Sequence, residues 1–135
     1  MKSLKVIIGA ALLLMFTGCI PDGTEETLEG SWSCMETSTI FMESLKGTTV
    51  YPVYFAQDVV DDNTYYIDNF YQLGDGVDVK IKVSGHSLIL EPQTVDGIKF
   101  KGTGTIDTSY ELITFTYTAD DDGGEIDHVQ AEYTR

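Results

Sequence analysis

Few side chains in this 135-residue chain are of a type and spacing that could do chemistry. His86 and His128 are the only histidines. His86 stands in a Gly85-His86 turn and His128 in an alternating segment near the C-terminus. Neither has a cysteine or a second histidine at metal-ligand spacing. No serine lies in a nucleophile-elbow pattern, and Cys34 carries no local signature of a catalytic nucleophile. Gly102-Thr103-Gly104 has neither a third glycine nor a following helix start, so it is no phosphate loop. The best local cluster is Asp120-Asp121-Asp122-Gly123-Gly124-Glu125. Hard oxygen donors on a turn suit calcium, but the EF-hand order of ligands is missing, notably the distant glutamate. In so acidic a chain the cluster reads as a solvated hairpin tip. The expectation is a protein that is not an enzyme and holds no metal or cofactor.

The aromatic residues carry more. Tyr51, Tyr54, Phe55, Tyr65, Tyr66, Phe70, Tyr71, Phe100, Phe115 and Tyr117 are many rings for one small domain. If the domain is a barrel, some of them must point inward. An eight-stranded barrel is just wide enough to be filled by side chains or to hold one small ligand. One reading is therefore a pocket lined by rings, with a few tyrosine hydroxyls as polar anchors. The other is that the rings simply fill the barrel. The residues that would touch a ligand are Trp32, Tyr65, Phe70, Phe100, Phe115 and Tyr117.

What must position these rings is a set of strands. Val77, Val79, Ile81 and Val83 alternate with Asp78, Lys80, Lys82 and Ser84, the period-two pattern of a half-buried strand. Ile113, Phe115 and Tyr117 alternate in the same way with Thr114, Thr116 and Thr118, and Ile98 and Phe100 with Lys99 and Lys101. Turn signals separate the runs at Lys46-Gly47, Asp61-Asp62-Asn63, Gly74-Asp75-Gly76, Gly85-His86, Asp96-Gly97, Thr108-Ser109 and Asp122-Gly123-Gly124. Asp96-Gly97 is the sharpest, because both residues tolerate positive φ and the two flanking runs close directly on it. Eight strands follow: Gly30 to Phe41, Thr49 to Val59, Thr64 to Tyr71, Val77 to Ser84, Ser87 to Val95, Ile98 to Asp107, Glu111 to Ala119 and Glu125 to Thr134. Phe41, Met42 and Leu45 could instead form a helical turn between the first two. Pro52 and Pro92 imply bulges or edge positions. Gly102 and Gly104, on one face of the sixth strand, mark a bend or a close approach. The fold class is all-β. Strands joined mostly by tight turns form an antiparallel meander, which hides its outer edges by closing first strand onto last as a barrel. A two-sheet sandwich is the competitor, but the late half of the chain lacks the longer crossovers it needs.

The N-terminus fixes a compartment. Lys2 and Lys5 precede an uncharged apolar run from Val6 to Phe16, far short of the ~20 residues a membrane-spanning helix needs. A positive start, a short apolar core and small residues at its end describe a cleavable signal. Phe16-Thr17-Gly18-Cys19 resembles the bacterial lipobox. The resemblance implies removal of residues 1–18, a diacylglycerol on the Cys19 thiol and acylation of the new N-terminus. Two or three acyl chains give stable membrane attachment. With Cys19 lipidated, Cys34 has no partner for an intramolecular disulfide and is expected to be a small apolar core residue. Residues 19–27 have little to bury and read as a short tether, and residues 28–135 form the domain. After residue 18 the chain keeps 6 basic against 22 acidic residues, a net charge of about −16. Such a chain does not bind nucleic acid by neutralising phosphates, and it is repelled by anionic lipid. The acyl chains, not the protein surface, must hold it to the membrane.

Leu28-Glu29-Gly30-Ser31-Trp32 opens the domain with a Gly-x-Trp, as in lipocalins, where the tryptophan packs across one end of the barrel. Tyr65-Tyr66-Ile67-Asp68-Asn69-Phe70, Gln93-Thr94-Val95, Lys101-Gly102-Thr103-Gly104-Thr105 and Glu132-Tyr133-Thr134-Arg135 follow. The succession resembles the small calycin-like (lipocalin-like) β-barrel lipoproteins of Bacteroidetes. That resemblance implies an outer-membrane lipoprotein on the periplasmic or cell-surface face. Asp22, Glu25 and Glu26 look like the acidic residues that send some such lipoproteins to the surface. Two functions remain open: a binding protein holding a small apolar or amphipathic ligand in the barrel, and a solid barrel whose outer surface meets an envelope protein.

Overall fold

The computed structural model describes residues 27–40 and 48–135. The signal, Cys19, most of the tether and the alternative helical turn at Phe41, Met42 and Leu45 lie outside the described residues. Eight antiparallel strands run β1 Gly30–Ser38, β2 Thr48–Gln57, β3 Thr64–Asp68, β4 Asp78–Ser84, β5 Ser87–Val95, β6 Ile98–Ile106, β7 Leu112–Asp120 and β8 Ile126–Thr134. Each pairs with its sequence neighbour, and β1 closes on β8 from Ser33↔Thr134 to Ser38↔Val129. The result is a closed meander barrel, compatible with a calycin-like fold, with no unpaired outer strand.

Period-two alternation builds the wall. Along β7, Ile113, Phe115, Tyr117 and Ala119 are buried and the residues between them face outward. Asp96 and Gly97 adopt φ 53 and φ 78, the positive pair that a tight β5–β6 hairpin requires. Pro92 sits in a register shift between Leu90 and Gln93, where β5 carries one extra residue against β6.

Four expected strands end early: the second at Gln57 rather than Val59, the sixth at Ile106 rather than Asp107, and the first and third by three residues each. The first stops at Ser38 because the backbone turns at Thr39 and Ile40. The third stops at Asp68 rather than Tyr71. Asn69 takes a left-handed conformation (φ 61, ψ 27), which breaks the strand and starts a 3₁₀ turn, Phe70–Gln72. That turn drops Phe70 into the barrel, fully buried.

The near end of the barrel, where the chain enters, is closed by Trp32. Its indole Nε1–H donates to the Leu28 carbonyl at 2.8 Å, and the Arg135 guanidinium lies 4.4 Å from the ring centroid. Arg135 also donates to the carbonyls of Thr27 (2.9 Å) and Tyr110 (3.0 Å). The last residue thereby ties together the start of the domain and the β6–β7 turn.

Candidate functional site

The inward-facing rings form one continuous column. From the near end it runs Trp32, Phe55, Tyr133, Phe115, with successive centroids 5.5, 5.6 and 6.4 Å apart. Phe115 meets Tyr117 at 5.5 Å, Tyr117 meets Phe70 at 4.6 Å, and Phe70 meets Phe100 at 5.3 Å. These are contact distances for stacked and edge-on rings. Trp32, Phe55, Phe70, Phe100, Phe115, Tyr117 and Tyr133 are each exposed by 2% or less. Of the six residues proposed from sequence, Phe70, Phe100, Phe115 and Tyr117 therefore meet in one cluster toward the far end. Trp32 and Tyr65 lie at the near end. The Tyr65 hydroxyl is within 3.3 Å of the Thr27 hydroxyl and lines an outer cleft there.

Sequence reasoning missed the polar groups inside the barrel. Glu36 sits on the same face of β1 as Trp32 and Cys34 and is buried. Its Oε2 accepts hydrogen bonds from the hydroxyls of Tyr51 (2.5 Å) and Tyr117 (2.6 Å). Burial raises the Glu36 pKa above the usual carboxylate range. The two tyrosine donors oppose that rise, and the neighbouring Asp127 charge adds to it. Burial likewise pushes the Cys34 thiol up to about 12, which leaves it inert. Cys34 is a free, fully buried residue, as expected of a small apolar core side chain. The wholly buried Tyr133 hydroxyl has no hydrogen-bond partner among the described residues and lies beside that thiol, a weak one at best.

Asp127, on β8, is the second interior carboxylate. It accepts from Ser38 Oγ (2.5 Å), Tyr71 Oη (2.7 Å), the Thr39 amide (3.0 Å), Thr39 Oγ1 (3.2 Å) and the Ile40 amide (3.3 Å). Burial works to raise its pKa, but these donors outweigh it and hold the carboxyl below its ordinary value. Period two on Trp32-x-Cys34-x-Glu36-x-Ser38, and on Asp127-x-Val129-x-Ala131-x-Tyr133, was the signal that placed both acids inside.

Glu36 gives the fold a pH dependence. Its folded pKa is raised, so its contribution to stability is complete below the unfolded carboxylate value and is lost as pH rises through the folded pKa. Glu36→Gln keeps the shape and an acceptor for both tyrosines but carries no charge. The variant is expected to gain on wild type as pH rises from the unfolded carboxylate value through the folded one, by ~1.4 kcal/mol for each unit by which the folded pKa exceeds the unfolded one. Thermal melts of both proteins across that range check this, and a gap that does not widen with pH refutes it.

The sites singled out for chemistry do not assemble. His86 packs on Tyr110 (5.2 Å) with Nδ1 near the Ile106 carbonyl at the near end. His128 is exposed on β8. Lys99 pairs with Asp122 at 3.0 Å in the acidic hairpin tip. Among the described residues no group of three His, Cys, Asp or Glu side chains is placed to hold a metal ion. The chain matches no family model, and no curated protein is detectably similar to it.

Proposed function

We propose that this protein is a non-enzymatic, lipid-anchored component of the cell envelope that binds a protein partner with its outer surface. One observation carries the reading: the ring column from Trp32 to Phe100 occupies the barrel in ring-to-ring contact, so the interior acts as structure. Cys19, carrying acyl chains, holds the domain at the outer membrane through the tether of residues 19–27. The ligand-carrier reading has one observation in its favour, the buried Tyr133 hydroxyl, which has only the Cys34 thiol beside it.

Native mass spectrometry of the protein purified in detergent from its own envelope separates the two. The expected species begins at Cys19, carries covalent acyl mass and holds no other molecule. A reproducible additional mass of small-molecule size, released on unfolding, defeats the surface reading and establishes a carrier. An intact residue 1–18 segment with no acyl mass removes the anchor from the proposal.

A further inference from the structure

The barrel wall has one incomplete seam. Backbone pairing between β4 and β5 covers only Lys82↔Ile89, Val83↔Leu88 and Ser84↔Ser87. Beyond it, β5 continues to Val95 paired to β6 alone, and β4 from Asp78 to Ile81 pairs to β3 alone. The extra residue at the Pro92 bulge throws β5 out of register with β4. A side chain fills the place of the missing pair. The Gln93 amide accepts from the Lys80 N–H (2.9 Å) and donates to the Lys80 carbonyl (2.7 Å) and the Glu91 carbonyl (3.1 Å). It thus stands in for the peptide group of a neighbouring strand.

The cationic charge gathers on the same wall. Five lysine and arginine side chains are described; four of them, Lys80, Lys82, Lys99 and Lys101, are exposed on β4 and β6, the strands either side of β5. Lys82 pairs with Glu91 at 3.4 Å and Lys99 with Asp122 at 3.0 Å. Lys80 and Lys101 have no carboxylate partner among the described residues. They flank β5 two strand spacings apart, about 10 Å. A groove of about 400 Å³ lined by Pro92, Thr94, Lys99, Lys101, Asp120 and Ile126 adjoins a smaller one lined by Lys80, Lys82, Glu91 and Gln93, so each groove holds one carboxylate beside two lysines.

Resting on the surface-acting reading above, we propose that this seam docks an extended, acidic segment of a partner protein. The segment's backbone takes over the Lys80 N–H and carbonyl from the Gln93 amide, as a strand added to a sheet does. Its carboxylates meet the unpaired Lys80 and Lys101. A peptide fits better than the other polyanions an envelope offers. Sugars pack their apolar faces on exposed rings, and the ring in this groove, Phe100, is 1% exposed. A bilayer offers no backbone to replace an amide.

The test uses the full lipoprotein in detergent with fluorescein-labelled octaglutamate, followed by anisotropy. Wild type is expected to bind saturably, less tightly as salt is added. Lys80→Glu with Lys101→Glu should weaken binding by about tenfold or more, and Lys82→Glu, already paired, by much less. The Lys80 backbone and Gln93 side-chain amides should shift in NMR spectra on titration. All four lysines are exposed, so unchanged melting temperatures establish that the variants are folded. Absent binding, equal binding by the double variant, or tighter binding of polygalacturonate overturns the proposal. A small molecule found inside the barrel overturns the surface reading whatever octaglutamate does. An empty barrel that ignores octaglutamate overturns the seam alone.

Discussion

Gly102→Ala is expected to be the most damaging single-methyl change in the barrel. A Cβ built at Gly102 stands 2.4 Å from the Thr116 carbonyl oxygen, 2.5 Å from Tyr117 Cβ and 2.7 Å from Tyr117 Cα. These are main-chain and first side-chain atoms of β7, directly opposite in the Gly102↔Tyr117 pair, and they cannot turn aside. Relief requires β6 and β7 to part where Tyr117 reaches across to Glu36 and the ring column. Overpacking a core costs 1–3 kcal/mol and occasionally more. With backbone as the obstacle, about 3 kcal/mol is expected, a fall in Tm of roughly 12–24 °C for a domain of this size. Gly104→Ala should cost less. Its nearest neighbour is a ring carbon of Phe115 at 2.4 Å rather than main chain, and the closest backbone atom, the Thr114 carbonyl oxygen, stands farther off at 2.8 Å. Gly123→Ala, facing only the exposed Asp121 carboxylate, should stay within about 0.5 kcal/mol. Melting curves of the three variants rank them, and a Gly102→Ala protein within a few degrees of wild type shows that the strands yield more easily than this geometry allows.

The same glycines show what was legible beforehand. Gly102 and Gly104 on one strand face announce a close approach, and β7 supplies it with Tyr117 and Phe115. The meander is legible because each hairpin carries its own signal and alternation runs unbroken through β6 and β7. The 3₁₀ turn is not, because it depends on Asn69, Tyr71 and Gln72 adopting positive φ without a glycine among them. Such a conformation is imposed by packing, here Phe70 in the ring cluster and the Asn69 side chain bonded to Pro52 and Gly74. The β4–β5 seam is equally hidden: Pro92 announces a bulge, but only the register across three strands shows that it strands Lys80 opposite the side chain of Gln93. The interior acids were missed for a different reason. Alternation places Glu36 and Asp127 inward, but a charged residue is ordinarily assigned to solvent. Only the tyrosine and amide donors waiting there make burial affordable.

Asp127 is the more consequential of the two. Its five donors come from the end of β1 and from Tyr71 in the 3₁₀ turn, so one carboxylate fastens two loop segments to β8 at the far end. Asp127→Ala removes the acceptor shared by five donors, of which the Ser38 hydroxyl is buried and the others are part-buried, while the Thr39 amide keeps the His128 carbonyl. A loss of about 2–4 kcal/mol is expected, since hydrogen bonds to a charged acceptor contribute about 1.5–3 kcal/mol each and most of these are partly open to water. Tyr71→Phe removes a single hydrogen bond and should cost about 1 kcal/mol. Combined with Asp127→Ala it should add almost nothing, because the partner is already gone. Full additivity in that cycle refutes the latch. The two acids also bias stability in opposite directions with pH. Asp127 has a lowered folded pKa, so its contribution is present above the ordinary aspartate value and is lost as pH falls through the folded one. Glu36 loses its contribution as pH rises. Since the Asp127 charge adds to burial in raising the Glu36 pKa, Asp127→Ala should also lessen the decline in stability as pH rises through the Glu36 folded pKa. Melting temperatures of wild type and Asp127→Ala from pH 3 to 9 test both limbs together. An unchanged decline on the rising-pH side separates the two carboxylates electrostatically, and an unchanged acid limb shows that Asp127 is not the group whose protonation loosens the far end.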